Sequence, residues 1–202
     1  GNELQNPGTV AEYGKVYESN SFALLAAFNQ LHIHNVTVYQ SADDINTLTN
    51  ILNEALLKSD LVLMTGGVSV GDYDFTVKVS ENCGVQKIFH KIKQKPGKPI
   101  FFGKKEHILF FGLPGNPASV LTCFYEYVLL ALGKMTSKKL QLKTEQVTLS
   151  STYTKPSRIT HYLKGIFDGT KVHLPQGQES YKLNSFAIAN CLVMIPESVT
   201  EV

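Results

Sequence analysis

The sequence contains no tryptophan, only three cysteines and no long apolar run among its 202 residues. Its longest apolar stretch, residues 128–132, is far too short to cross a bilayer, and we expect neither a signal peptide nor a membrane partner. The cysteines, Cys83, Cys123 and Cys191, are widely spaced and form no C-x-x-C pair. This spacing argues against a disulfide framework or a zinc site and favours the reducing environment of the cytoplasm.

A strong imbalance of charge is also missing. Lysine and arginine total 19 against 17 aspartate and glutamate residues, which gives a net charge of +2 and a pI of about 8.4. Nucleic-acid binding requires a clustered and strongly basic face, so we expect no nucleic-acid partner. Hydrophobic residues make up 43% of the chain and charged residues 18%, and this composition permits a real core and argues against disorder.

Two regions differ in their hydrophobic patterns. Residues 1–137 alternate helical and strand-like segments, whereas residues 138–202 are β-rich with few helix signals. The first region is predicted to hold helices at 20–31, 44–58 and 116–132 and one starting near Phe75, with strands at 36–39, 61–65, 86–95, 99–102 and 108–111. The second is predicted to hold strands at 145–153, 158–167, 171–174 and 186–195. These patterns predict a three-layer α/β domain with a mainly parallel sheet, followed by a small all-β domain.

The first candidate site is a glycine-rich loop, TGGVSVGDYD, at residues 65–74. It follows a strand and precedes a helix, and ligands of open α/β sheets bind beyond the carboxyl ends of the strands. Glycine lets backbone N–H groups approach an anion closely because it has no Cβ. Gly66, Gly67, Ser69 and Gly71 are therefore candidates for binding a phosphate-bearing molecule. The alternative is a turn that is only incidentally rich in glycine.

The second candidate site is the sequence GLPGNP at residues 112–117, between a strand and the best-defined helix. Asn116 can cap this helix, and Pro117 suits its first position. A helix N-terminus offers free N–H groups and the positive end of a dipole to phosphate or carboxylate. Pro114, Gly115, Asn116 and Pro117 are thus candidate ligand-binding residues. The alternative is a well-formed helix cap without a ligand.

The third candidate site is the lysine-rich segment KPGKP at residues 95–99. Its two prolines stiffen the chain and hold Lys95 and Lys98 at a fixed separation, as clamping of a polyphosphate requires. Neighbouring lysines such as Lys87 and Lys104 fit an edge strand that is protected from aggregation. RNA is the rival partner for this segment, but few aromatic residues are interleaved to stack on bases.

Acidic residues follow two of the predicted strands. Asp43 and Asp74 would both lie at carboxyl ends of neighbouring strands, with Asp72 as a substitute for Asp74. Two carboxylates together with substrate phosphates are a usual arrangement for Mg²⁺. One carboxylate of the pair Asp43 and Asp44 should instead cap the following helix. We predict that Asp44 is the cap and Asp43 the metal ligand.

The motifs GGVSVGxxD, KPGKP and GLPGNPxS, in this order and with these gaps, resemble molybdopterin molybdenumtransferase, the MoeA/gephyrin family. The opening GNEL and the segments YESN at residues 17–20 and SFAIANC at residues 185–191 are also similar to that family. The resemblance implies a molybdopterin-binding sheet domain and a small C-terminal β-barrel. It also implies the family's reaction, in which a homodimer uses Mg²⁺ to insert molybdate into adenylylated molybdopterin and releases AMP.

The resemblance assigns roles to individual residues. It implies catalytic roles for Glu3, Asp43 and Asp74, with Mg²⁺ held by the two aspartates. It implies substrate binding by the two glycine motifs, Lys95, Lys98, Arg158 and Ser180. Ser180 closes the sequence Gln178-Glu179-Ser180, where the family usually has Q-G-S.

The family's enzymes carry a long N-terminal portion, and the first strand of their sheet would precede Gly1. We therefore expect this chain to be a fragment with no activity by itself. Two alternatives remain open, namely a protein like the molybdopterin adenylyltransferases, which share the sheet domain, and a non-catalytic pterin-binding scaffold. The β-rich region after Ser137, and GGVSVG in place of the adenylyltransferases' usual GGTG, argue against the first alternative.

Overall fold

Two compact units make up the structure, a computed structural model that describes residues 3–67, 75–156 and 158–202. The first unit comprises Gly1–Lys91 with Pro99–Gly115, and the second comprises Ile92–Lys98 with Asn116–Val202. Each unit therefore draws on two separate stretches of the chain, and the lysine segment is grouped with the β-rich C-terminal region. The predicted domain boundary at residue 137 stays a prediction.

Short strands and helices alternate along the described chain. The strands are β1 (Leu4–Gln5), β2 (Val16–Tyr17), β3 (Leu61–Thr65), β4 (Gln86–His90), β5 (Gln94–Lys95), β6 (Phe101–Lys105), β7 (Ile108–Leu113), β8 (Thr148–Leu149), β9 (Thr160–Phe167), β10 (Lys171–His173) and β11 (Cys191–Ile195). The helices are α1 (Asn20–Gln30), α2 (Ile45–Lys58), α3 (Phe75–Asn82), α4 (Pro117–Cys123), a π-helical turn (Phe124–Val128), α5 (Leu129–Met135) and α6 (Asn184–Ile188).

The helices predicted in the first unit are confirmed within one residue at their described ends. The start of α2 shows why its position could be read from the sequence. The Thr47 backbone N–H and hydroxyl donate to Oδ1 of Asp44 at 2.8 and 2.7 Å. These bonds hold the pKa of the exposed Asp44 carboxyl below its usual value. Asp44 is the cap, as predicted.

The sheet of the first unit has the strand order β3-β7-β6-β4. β3 and β7 run parallel with Thr65 opposite Leu113, whereas the other two junctions are antiparallel. The prediction of a mainly parallel sheet is therefore wrong for the described residues. The physical reason is the two-residue connection Glu106-His107, which is too short to join β6 to β7 in any but the antiparallel direction. Residues 36–39, predicted as a strand, pair with no described strand.

Helices α2 and α3 cover one face of this sheet. The buried cluster on that face consists of Leu52, Leu56, Val79, Cys83, Val85, Phe101, Ile108 and Phe110. Gly103 lies on the same face because it pairs with Phe110 across β6 and β7. A Cβ at Gly103 would lie 2.7 Å from Cγ1 of Val85, so no other residue type fits there without movement of the core.

The sheet of the second unit has the order β11-β9-β10-β8, and β5 also pairs with β9. It confirms a small β-rich C-terminal sheet, but the described strands form no closed barrel. Two predicted strands are corrected. Of residues 145–153, only Thr148–Leu149 forms a strand, which pairs with β10. Residues 186–195 begin in helix α6, where the Ser185 hydroxyl donates to the Gly177 carbonyl at 2.6 Å.

A nearly continuous helical stretch, Pro117–Met135, extends the helix predicted at 116–132. By length and composition alone it could cross a membrane, with a mean hydropathy of 1.2, but 61% of it is buried inside the molecule. The buried core helix of a globular protein has the same composition. Gly133, the residue after the predicted helix 116–132, lies within α5, and a Cβ there would come within 2.8 Å of the Lys138 carbonyl oxygen.

Candidate functional site

The ends of β3 and β7 bring two of the predicted motifs together in the first unit. The backbone N–H of Gly66 donates to the carbonyl oxygen of Leu113 at 3.2 Å. A Cβ at Gly115 would lie 3.8 Å from the Cα of Gly66. The glycine-rich loop and the Leu113–Gly115 segment therefore meet at the carboxyl edge of the only parallel pair among the described strands of this sheet, which is where α/β sheets bind ligands.

Gly66 and Gly67 both have a left-handed backbone conformation, with φ values of +79° and +66°. A side chain other than glycine is strained in this region by roughly 1–2 kcal/mol. A Cβ at Gly66 would meet no atom within 4 Å, so it is the backbone conformation, not lack of space, that requires glycine there. Consecutive residues of this kind turn the chain sharply as it leaves the strand.

Thr76 fixes the shape of this turn. Its hydroxyl donates to the Gly66 carbonyl oxygen and its backbone N–H to the Gly67 carbonyl oxygen, both at 3.3 Å. Its side chain is completely buried, although threonine is usually exposed. Sequence reasoning missed this residue because a lone threonine near a helix start carries no signal of its own.

Asn20, the first residue of α1, connects that helix to the same edge of the sheet. Its side-chain Nδ2 donates to the Gly115 carbonyl oxygen at 2.8 Å. Because a carbonyl oxygen can only accept, this bond fixes which end of the amide faces Gly115. The other end, Oδ1, is buried and has no hydrogen-bond partner in the described part of the chain. The YESN segment was noticed in the sequence, but the position of Asn20 beside Gly115 was not predicted.

The residues where β3 and β7 end differ in their exposure to solvent. Pro114 is buried, whereas Gly115 is exposed and Gly66 and Gly67 are half-buried. The backbone at this edge therefore belongs to glycines, which have no side chain to cover it. Ser69, Gly71 and Asp74 of the same motif lie outside the described residues.

In the second unit, Asn116 and Pro117 begin α4 as predicted, but Asn116 makes no side-chain cap bond. Its Nδ2 instead donates to Oγ of Ser180 at 2.9 Å. The Ala118 N–H donates to the Ser180 carbonyl oxygen at 3.0 Å. The prediction of free N–H groups at this helix start is corrected accordingly, because Ser180 occupies one of them.

Lys164, which sequence reasoning missed, holds the loop that carries Ser180. Its ammonium group is buried and lies 2.7 Å from the Gly177 carbonyl oxygen, 3.1 Å from that of Glu179 and 2.8 Å from Oγ of Ser185. Burial lowers the pKa of Lys164. A buried ammonium is stable only with such a set of acceptors. Strand alternation alone gives no sign that a lysine faces inward.

Lys95 and Lys98 lie in the second unit on one short loop. Both side chains are exposed, and the Ile92 N–H donates to the Lys98 carbonyl oxygen at 2.9 Å. Lys95 lies opposite His161 in the parallel pairing of β5 with β9. The loop is thus closed at its base with two ammonium groups at its surface.

Comparison with known proteins identifies the chain. Residues 1–134 match the family described as a probable molybdopterin binding domain, and residues 146–202 match the MoeA C-terminal region, domain IV. The chain belongs to the MoeA family. The resemblance carried by the three central motifs is thereby confirmed.

Individual MoeA relatives support the same assignment. Proteins named molybdopterin molybdenumtransferase from Haemophilus influenzae and Staphylococcus aureus are 31% identical over 204 residues and 29% identical over 202 residues. These alignments cover 98% and 97% of this chain but only 50% and 48% of the relatives. The chain therefore spans about half the length of the curated relatives it matches.

The fold is also that of a MoeA protein. The crystal structure of a molybdopterin biosynthesis MoeA protein from Pyrococcus horikosii superimposes with a TM-score of 0.83 at 27% identity. The match covers 99% of this chain and 49% of that one. The mixed α/β unit and the small β-rich sheet are therefore features that the chain has in common with a solved member of its family.

Three further residues were assigned through the MoeA resemblance and are described. Glu3 is exposed, and its backbone carbonyl accepts from the Val16 N–H at 2.8 Å. Asp43 is exposed one residue before the cap of α2. Arg158 is exposed two residues before β9 begins. The structure gives each a position, and their roles stay predictions.

The magnesium site also stays a prediction. No group of three or more His, Cys, Asp and Glu side chains comes together among the residues that the structure describes. A site made of two carboxylates and substrate phosphates would not form such a group. Asp44 is engaged as a helix cap, and the role of Asp43 as a metal ligand stays a prediction.

Proposed function

We propose that this chain is part of a molybdenum-insertion enzyme, which binds adenylylated molybdopterin and converts it with molybdate, releasing AMP. The observation that supports this most strongly is the meeting of Gly66 and Gly115 at the carboxyl ends of β3 and β7. It is a backbone-lined surface of the kind that binds phosphate groups. Membership of the MoeA family supports a pterin ligand, and we propose its adenylylated form.

The proposed chemistry suits the side chains that the chain offers. Release of AMP requires the phosphoanhydride of the adenylylated pterin to break, and negative charge builds up on the phosphate oxygens as it does so. Lys95 and Lys98 present two exposed ammonium groups that can neutralise such charge. We propose Mg²⁺ binding by Asp43 and Asp74, where the ion would neutralise further phosphate charge. With molybdate as the attacking group, no protein nucleophile is needed.

The remaining expectations from the sequence are part of the same proposal. They are a homodimeric state, a cytoplasmic location, a catalytic contribution from Glu3, and substrate contacts by Arg158 and Ser180. They extend the assignment to the MoeA family, and each can be tested apart from it.

The proposal is tested by measuring AMP. Because we expect this chain to have no activity by itself, a full-length protein carrying this sequence is incubated with adenylylated molybdopterin, with and without molybdate and Mg²⁺, and AMP release is followed over time. We expect release that depends on molybdate and falls at least about 100-fold in Asp74→Ala, the size of loss typical for removing one electrostatic contact in an active site. If the unsubstituted protein and Asp74→Ala bind the pterin nucleotide equally well and neither releases AMP, the protein is instead a non-catalytic scaffold.

A further inference from the structure

The two lysines of the KPGKP segment lie on a loop that is built around a buried glutamine. Gln94 immediately precedes Lys95, and it is only 2% exposed. Its Nε2 donates to the Pro96 carbonyl oxygen at 2.8 Å. Its Oε1 accepts a hydrogen bond from the Tyr127 hydroxyl. Both ends of the amide are therefore satisfied by partners within the second unit.

The direction of these bonds is fixed by chemistry. The Pro96 carbonyl can only accept, so the amide nitrogen of Gln94 must face it, and the oxygen must then face Tyr127. Burial raises the pKa of the Tyr127 hydroxyl to about 12. This group therefore keeps its proton near neutral pH and can donate it to Gln94.

Gly97 lies directly against this buried layer. A Cβ there would be 2.5 Å from Sγ of Cys123 and 2.6 Å from Nε2 of Gln94, and its φ of +96° is one that other residues rarely adopt. The Cys123 thiol, whose pKa burial raises to about 12, faces the Gly97 carbonyl oxygen at 3.9 Å. The middle of the loop is therefore packed against buried side chains, while Lys95 and Lys98, which flank it in the sequence, are exposed.

Tyr127 occupies the π-helical turn, residues 124–128. A π-helical turn inserts one extra residue into a helix and so changes the direction in which the following side chains point. Such turns occur often at functional sites. Here the turn lies between α4 and α5, and it carries the hydroxyl that reaches Gln94.

We propose that Gln94, Gly97 and Tyr127 are positioning residues for a diphosphate group, because they hold Lys95 and Lys98 at a fixed separation before the ligand binds. The inference rests on the proposed function, since it assigns this loop to the diphosphate of the pterin nucleotide. A preorganised pair of ammonium groups loses less conformational freedom on binding than two lysines on a flexible loop. The anchor residues act through the lysines and need not touch the ligand.

Titration with ADP, a stable diphosphate, tests this in a double-mutant cycle by calorimetry. Tyr127→Phe keeps the ring and removes the hydroxyl. We expect it to weaken ADP binding about five-fold in the otherwise unchanged chain, but less than about two-fold when Lys95 and Lys98 are both alanine. Tyr125→Phe, in the same π-helical turn, is the matched control and should change ADP binding less than about two-fold.

A second readout follows the loop without any ligand. Hydrogen exchange at the Ile92 amide, which is bonded to the Lys98 carbonyl oxygen, should become at least about five-fold faster in Tyr127→Phe and stay unchanged in Tyr125→Phe. Equal weakening of ADP binding in both lysine backgrounds, or unchanged exchange at Ile92, would overturn the positioning role and leave the proposed function standing. Failure of the unsubstituted chain to bind ADP while Tyr127→Phe still speeds exchange would overturn the diphosphate role of the loop, and with it that part of the proposed function.

Discussion

The Gly66 amide nitrogen lies 3.2 Å from the Leu113 carbonyl oxygen and donates a hydrogen bond to it. This bond joins two loops whose residues are 47 positions apart in the sequence, at the point where the parallel strands β3 and β7 end together. Each loop is rich in glycine, and each was noticed in the sequence separately. Because the two motifs are in contact, they form one candidate site, although each motif alone is a weak signal.

Alanine substitutions at Gly66 and Gly115 should separate the cost of a left-handed backbone from the cost of an added Cβ. Gly66→Ala forces a residue with a Cβ into a φ of +79° and should lower the free energy of unfolding by roughly 1–2 kcal/mol. Gly115→Ala introduces only an ordinary contact at 3.8 Å and should stay within about 0.5 kcal/mol. Urea denaturation measures both. Equal stability losses in the two variants would contradict this account of the site.

Asn20 should stabilise the Gly115 segment through its amide nitrogen alone. Asn20→Ala removes the bond to the Gly115 carbonyl and should cost about 1 kcal/mol in the free energy of unfolding. Asn20→Asp keeps the size and places an acceptor against an acceptor, so it should cost more than the alanine variant near neutral pH. If the aspartate variant is as stable as the unsubstituted protein, Nδ2 is not the group that matters.

Local chemistry explains which elements could be predicted from the sequence. Asp44 with Thr47 three residues later is a complete helix start, and its position needs no tertiary information. The apolar run at residues 108–111 likewise predicted a strand, and β7 covers it. The mainly parallel sheet was predicted from the alternation of helices and strands, which does not determine the direction of strands joined by a short turn.

The parts of the site that could not be predicted depend on distant partners. Asn116 is of a residue type that often caps helices, yet its side-chain amide bonds to Ser180, 64 residues further on. Thr76 and Lys164 are polar residues that are buried, and burial of a polar group is decided by acceptors that only the folded chain brings near. A single sequence contains no signal for such pairs.

Lys164 should be one of the most sensitive positions in the second unit. Lys164→Met removes the ammonium group from the Gly177 and Glu179 carbonyl oxygens and leaves them buried, so we expect a loss of about 3 kcal/mol in the free energy of unfolding. Lys171→Met, at an exposed position on β10, is the control and should stay within about 0.5 kcal/mol. Chemical denaturation of the two variants under the same conditions makes the comparison. Similar losses at both positions would show that the buried ammonium does not hold the loop.

His161 should make the stability depend on pH. Its side chain is buried beside the Tyr153 hydroxyl at 3.0 Å, and burial together with the charges of Lys95 and Lys155 lowers its pKa below 6.5. A lowered pKa means that the unfolded chain binds the proton more readily. The contribution of neutral His161 to the free energy of unfolding is therefore complete above about pH 6.5, and it is lost as the pH falls through the pKa of His161 in the folded state.

The comparison with His161→Gln isolates this contribution. The difference in the free energy of unfolding between the unsubstituted protein and the variant should shrink between about pH 7 and about pH 5, with the larger value at the higher pH. The carboxyl groups titrate in both proteins, so their contributions cancel in this difference of unfolding free energies. A difference that is constant with pH would contradict the lowered pKa of His161.

The central claim, that this MoeA-family chain binds a pterin nucleotide with Lys95 and Lys98 of its lysine loop, is tested most directly by equilibrium dialysis with adenylylated molybdopterin. The double variant Lys95→Ala with Lys98→Ala should bind at least about ten-fold more weakly than the unsubstituted chain. The control is Lys87→Ala with Lys104→Ala, which removes the same charge from exposed positions on β4 and β6 and should change binding less than about two-fold. Equal weakening by both pairs would show a non-specific charge effect and contradict the account.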